Sequence, residues 1–323
     1  METRQNNLLL GIIFIVLGSS SYGMLSTFVK LAYKENYTTA EVTAAQFAWG
    51  ALILTIMALF QKNKGPKPQN GDIKKLMIAG IPIALTSVLY YLSVRYIDAS
   101  VAVVLLMQSV WMGVIVEAVQ KKKIPSVEKI AAVALILFGT LLATKVIGSE
   151  NVNLDIRGLI LGMITAMCFS WGLYSTSSVA NHLSPITRSQ YMLYGGSIVV
   201  LIFALLTQIG PYYMNIHLVN EGFIFNKSFN GNIFQKYGLI VAIFGTVIPP
   251  IMLNKGFPIV GVGLGSILSS IELPVAMTIS FIFLGEIVTS VQWMGVAIIL
   301  SAIVLLNYRL FASKEPNTAV PTN

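Results

Sequence analysis

Two carboxylates stand inside apolar stretches of this 323-residue chain, Glu117 and Glu272. A charged group in hydrocarbon costs about 2.5–3.5 kcal/mol on insertion scales, so it is read first as part of a working site. Gly261, Gly265, Ser269 and Glu272 follow one another by four, four and three residues and so share one helix face. Small side chains on that face let a second backbone approach, and Pro274 removes a backbone donor beside it. Two roles fit Glu272. It is a cavity-wall carboxylate that answers to protons or solute, or a carboxyl that ties its helix to a neighbour. It is the coupling candidate. Glu117 precedes Lys121 by one turn, and an i,i+4 pair at a helix end accounts for it.

Aromatic groups with polar tips suit a pocket for an amphipathic solute. Tyr22, Ser26, Tyr90, Gln108, Trp111, Trp171, Tyr174, Ser175, Asn254 and Ser269 join Glu272 as substrate-cavity candidates. Tyr and Trp also form belts at membrane interfaces, which is the competing reading. Lys30 continues the Ser19, Tyr22, Ser26 stripe towards one end of its helix, where it attracts an anion or snorkels. Arg95 has Asp98 within pairing reach, and Glu286 is placed at the outer interface. No catalytic residue and no metal ligand is assigned, because both histidines, His182 and His217, fall in loops. No Gly-x-x-x-x-Gly-Lys-[Ser/Thr] loop is present, so ATP is not the direct energy source. The single cysteine, Cys168, excludes an internal disulfide framework. No cofactor is expected. Asn36-Tyr37-Thr38 and Asn226-Lys227-Ser228 match glycosylation sequons.

The elements that must carry these residues follow from composition. Hydrophobic residues make up 55% of the chain and charged ones 11%, where a soluble domain carries about 45–50% and about 25%. The chain is therefore expected to be an integral membrane protein. Ten apolar runs reach the length of a spanning helix, over 8–29, 42–60, 76–94, 100–119, 128–147, 158–179, 189–208, 237–256, 259–283 and 288–308. The run Leu8 to Leu17, followed by Gly18-Ser19-Ser20-Ser21, has the form of a signal peptide, but apolar character resumes through Ala32 and favours a full span. One long connector, Gln208 to Lys236, is expected on the membrane surface. The net charge of +8 sits in short loops rather than on a nucleic-acid face. With the N-terminus inside, the inner segments carry twice the Lys and Arg of the outer ones, Arg188 counted among the inner. Both termini are then cytoplasmic, in a multi-pass protein of the cell (inner) membrane.

The two halves can be superposed. A shift of 149 places Ser19, Tyr22, Gly23, Ser26 and Thr27 on Cys168, Trp171, Gly172, Ser175 and Thr176. A shift of 163 places Lys123-Ile124-Pro125-Ser126 on Glu286-Ile287-Val288-Thr289. Five spans per half is odd, so the second half enters the membrane inverted, a recurrent plan of secondary transporters. The fold class is an all-α membrane protein of ten transmembrane helices in two inverted five-helix repeats. The repeats are expected over 1–148 and 156–310, with a disordered cytoplasmic tail over 311–323.

Gly261-Val262-Gly263-Leu264-Gly265-Ser266-Ile267-Leu268-Ser269-Ser270-Ile271-Glu272-Leu273-Pro274 resembles the ninth helix of EamA-type drug/metabolite transporters. Leu284-Gly285-Glu286 and Gln292-Trp293-Met294-Gly295 are similar to that family's closing pattern, and Gly158 through Trp171-Gly172 to the opening of its sixth span. The first half departs from the family at Lys123, where a Gly-Glu pair is frequent, and Trp111 stands where the second half has Pro274. The loop from Gln208 to Lys236 looks like an insertion. The resemblance implies a ten-helix bundle with a central cavity that moves small metabolites such as amino acids.

The expected activity is therefore secondary transport by alternating access, with export as the expected direction. The expected partners are a small-molecule metabolite and membrane lipid, with a homodimer as an allowed assembly and no nucleic acid. The rivals are a flippase for lipid or lipid-linked sugar, which needs a side opening between helices, and an integral membrane enzyme, which needs several titratable groups on one wall.

Overall fold

The computed structural model describes residues 2–61, 65–97, 99–144, 155–216, 218–219, 221–285 and 287–312. The part of the expected tail beyond 312 lies outside them, as do Asp98, His217 and Glu286. The helices are α1 (Glu2–Lys34), α2 (Thr39–Phe60), α3 (Asp72–Ser93), α4 (Ala99–Leu106), α5 (Ser109–Lys121), α6 (Val127–Ala143), α7 (Ile156–Ser178) and α8 (Pro185–Ala204). There follow α9 (Gly210–Met214), α10 (Leu239–Ala242), α11 (Ile248–Val260), α12 (Val262–Ser269), α13 (Glu272–Leu284) and α14 (Ser290–Ala312). π-helical turns join α8 to α9 and α10 to α11.

Taken as continuous rods, eight of these are long and apolar enough to cross a membrane. Two more helices complete the bundle, α6 with 17 residues and α14, which carries the apolar stretch Ser290–Leu306. They pack against each other. Large apolar side chains such as Leu59, Phe60, Phe138, Ile282 and Phe283 point outwards, as a lipid-facing surface requires.

Helix starts follow local chemistry. Thr38 opens α2 with a capping box, its Oγ1 accepting from the Glu41 N–H (3.1 Å) while Glu41 Oε2 accepts from the Thr38 N–H (2.7 Å). Ser184 caps α8 just before Pro185, a residue suited to the first helical turn. The two halves interdigitate. α1 lies along α11 and α13, α3 along α7 and α8, and α5 along α12.

Several boundaries differ from the sequence expectation. The first helix is one unbroken rod from Glu2 to Lys34, longer than 8–29, because polar residues at a helix end prolong it beyond the apolar run. The fourth and ninth runs are each broken near the middle. The seventh continues to Met214, so the connector spans 215–233 rather than starting at Gln208. That connector does not simply lie on the surface. Glu41, 0% exposed, receives Gln208 Nε2 (2.8 Å) and the Asn230 N–H (2.8 Å) on Oε1 and pins the loop to the start of α2. The helix of the fifth run, α6, ends at Ala143, and residues 145–154 lie outside the described residues.

The shift of 163 reaches further than the sequence motif. The break between Leu106 and Ser109 maps onto that between Ser269 and Glu272. The left-handed residue after α5, Lys122 at φ 51°, maps onto Gly285 at φ 64° after α13. Ser126 Oγ accepts from the Lys129 N–H (3.4 Å), and Thr289 Oγ1 accepts from the Gln292 N–H (3.4 Å). The causes of the two breaks differ. Pro274 has no N–H for the Ser270 carbonyl, which instead takes the Leu273 N–H (3.2 Å) in a tighter turn. In the first half no proline is needed, because Gln108 Nε2 occupies the Val104 carbonyl (3.0 Å).

Candidate functional site

The two halves enclose a cavity of about 600 Å³. Its walls come from α1, α3, α4, α7, α11 and α13, with Thr144, Ile287 and Gln292 at one end. Ile287 is 81% exposed there, so this end is the mouth. The mouth lies at the C-terminal ends of α1, α6 and α13 and the N-terminal end of α14.

Glu272 opens α13, just after the break. It is partly buried, and its Oε2 is shut off from solvent with no hydrogen-bond partner. Gly23 lets α1 reach this break, since a Cβ there would stand 2.5 Å from the Glu272 carbonyl oxygen. Tyr22 and Tyr90 line the cavity with it, and Tyr22 meets Phe169 edge-on at 6.4 Å. Asn254, 2% exposed, lies deeper, its Nδ2 donating to Ser189 Oγ (3.0 Å).

Of the sequence candidates, Tyr22, Ser26, Tyr90, Asn254 and Glu272 line this cavity. Gln108, Trp111, Trp171, Tyr174, Ser175 and Ser269 do not. Gln108 and Trp111 serve the break in the fourth span, Trp111 Nε1 donating to Gln108 Oε1 (2.9 Å). Ser175 is buried in packing, and Ser269 Oγ donates to the Gly265 carbonyl (2.9 Å). Trp171 is 65% exposed and meets Tyr174 edge-on at 6.4 Å, away from the cavity. The shift of 149 pairs Trp171 with Tyr22, but the cavity face of α7 runs through Phe169, Gly172, Leu173 and Thr176. That face is turned by one residue, about 100°, from the expected stripe.

Other residues escaped the sequence reading. Arg188, counted there as a loop charge, is 1% exposed. Its Nε donates to the Val179 carbonyl (3.0 Å), Nη1 to Asn254 (2.8 Å) and Nη2 to Thr176 (2.5 Å). It thus ties the C-terminal end of α7 to α11 beneath the cavity floor, where helix carbonyls favour a cation. The signal was a lone arginine three residues after Pro185, too general to single out. Thr246, Ser280 and Gln292 also line the cavity; Lys30, already on the Tyr22 stripe, and Tyr91, an aromatic candidate beside Tyr90, line it too.

At the opposite end of the bundle Glu117 receives Lys121 Nζ (2.6 Å), the pair read from the sequence, and also Lys129 Nζ. Its carboxylate fills the space beside Gly263, where any side chain would collide with it. By the shift of 163, Glu117 and Lys129 correspond to Ser280 and Gln292, which line the cavity. Arg95, whose expected partner Asp98 lies outside the described residues, stacks over the Phe225 ring at 5.1 Å. Among the described residues no group of three or more His, Cys, Asp or Glu is placed to hold a metal ion.

Long apolar helices around a solute-sized cavity define a multi-pass membrane protein with an internal binding space. The EamA-like transporter family profile matches residues 9–145 and 156–308, and the chain belongs to that family. It is a transporter, a class distinct from enzymes. It is similar to the uncharacterized transporter YcbK of Bacillus subtilis (strain 168), with 21% identity over 303 residues, 93% of each chain. A solved crystal structure superposes with a TM-score of 0.69 at 12% identity, covering 94% of this chain and 98% of that one, which shows a shared fold.

Proposed function

We propose that this protein is a secondary transporter that moves small organic metabolites, such as amino acids, out of the cell by alternating access. In this reading α6 and α14 complete ten spans, and the chain forms two inverted repeats, over 1–148 and 156–310. Both termini face the cytoplasm of a cell in whose inner membrane the protein sits. A helix of 17 residues is long enough by the lower limit for a span of about 17–25.

One observation carries the reading. A cavity walled by both halves is open at the end of Ser280 and Gln292, while the corresponding pair at the other end, Glu117 and Lys129, is engaged. Halves related by a repeat can exchange these roles, which would open the same site to the other side. In this reading Glu272 couples that exchange to protons.

Proteoliposomes loaded with a defined mixture of metabolites test this, with efflux followed by mass spectrometry. Protein-dependent release of one or a few small solutes is expected. Retention of the whole mixture, with movement of a fluorescent lipid instead, would select the flippase reading.

A further inference from the structure

We propose that the cargo of this cavity is an ammonium cation carrying N–H donors on an apolar body, and that Glu272 receives it. The inference rests on the transporter reading and narrows it to a chemical class.

Five of the hydroxyls along the cavity have already used their hydrogens. Ser26 Oγ donates to the Gly23 carbonyl (2.8 Å) and Thr86 Oγ1 to Pro82 (2.7 Å). Thr144 Oγ1 donates to Thr140 (3.0 Å), Thr176 Oγ1 to Gly172 (2.9 Å), and Thr246 Oγ1 to Ala242 (3.0 Å). A hydroxyl has one hydrogen, so each of these offers only lone pairs to a solute. The amides are committed in part. Asn254 gives Nδ2 to Ser189 and keeps an unpartnered Oδ1, and Gln292 gives Nε2 to the Ala143 carbonyl (3.2 Å). Glu272 adds a carboxylate whose Oε2 has no partner.

These groups set lone pairs around the acid, and the Tyr22, Tyr90, Tyr91 and Ser87 hydroxyls beside them can donate or accept. A carboxylate or phosphate on the cargo would meet these lone pairs, and a like charge at Glu272 once that acid is ionised. An ammonium would supply the missing donors and the missing charge together. The rings of Tyr22, Tyr90 and Phe169 line the same cavity as Glu272, where aromatic groups suit a cation on an apolar body. The cations nearby do not reverse this. Lys30 stands about two turns from Tyr22, towards the mouth. Arg188 lies below the floor with Nε, Nη1 and Nη2 turned to carbonyls.

Thermal melting of the purified protein with two probes of matched body, phenethylamine and 3-phenylpropionate, tests the class. The amine is expected to raise Tm saturably as a ligand of the folded state, and the acid to leave it unchanged. Glu272→Gln is expected to weaken the amine at least tenfold. A Tm rise with the acid equal to or above that with the amine overturns the proposal. So does no response to the amine, or amine binding undiminished in Glu272→Gln. Should that variant fail to fold, the wild-type comparison decides alone. Efflux of acidic solutes only from the metabolite-loaded proteoliposomes would overturn the amine class and leave the transporter reading standing. Efflux of none would overturn the transporter reading itself.

Discussion

Glu272 owes its situation to a backbone accident as much as to its own chemistry. The break before Pro274 places it at the first residue of α13, and Gly23 brings α1 against that break. Replacing it with Gln keeps size and hydrogen-bonding capacity and removes titration. The variant is expected to fold with a near-native melting curve, while flux in proteoliposomes loses its dependence on pH. An unchanged pH profile would remove Glu272 from the coupling step, and failure to fold would make it a structural tie. Arg188 carries the opposite expectation. It satisfies three buried carbonyls, and each buried polar group left unsatisfied costs about 1–3 kcal/mol. Arg188→Met should therefore lower Tm strongly, by several degrees in a detergent melt, and Arg188→Lys should recover only part of the loss, since an ammonium lacks the planar fork. Equal melting of all three proteins would show that other groups hold α7 to α11. Position in sequence made Glu272 and Tyr22 legible, because a mid-span acid and a stripe at helical spacing are local signals. Arg188 and Glu41 were not, because their partners lie in distant segments: Asn254 for the one, Gln208 and Asn230 for the other.

At the scale of helices, the repeat explains more than its few identities suggested. Breaks, left-handed caps and first-turn caps recur at one offset, although Pro274 makes one break and the Gln108 side chain supports the other. Apolar runs announced the rods, but hydropathy averages over a break and over a buried polar turn, so the split fourth and ninth spans and the extension to Met214 were hidden. The rotation of α7 was hidden for a related reason. A repeat aligns residues, not faces, and a turn of one residue sends Trp171 outwards. The element with a mechanical consequence is the Glu117 end of α5. Glu117→Gln keeps the volume beside Gly263 and weakens both lysine contacts. A cysteine placed in the cavity should then react more readily with a thiol reagent supplied from the cytoplasmic side, at least severalfold. No change in that rate would mean that packing of α5 on α12, not the ion cluster, holds this end shut.

For the whole molecule, the bias of Lys and Arg sets the expected orientation, and the cavity mouth then faces outwards. Reporter fusions after Asn323 should read a cytoplasmic C-terminus, and a reading on the outer face would reverse the direction assigned to the cavity. The central claim is that one cavity opens in turn to each side. Ser26→Cys in a Cys168→Ser background, treated with a membrane-impermeant thiol reagent in vesicles of each orientation, tests it most directly. The account predicts labelling from both faces, faster from the outside and shifted towards the cytoplasmic side by Glu117→Gln. Labelling confined to one face in both proteins would contradict it.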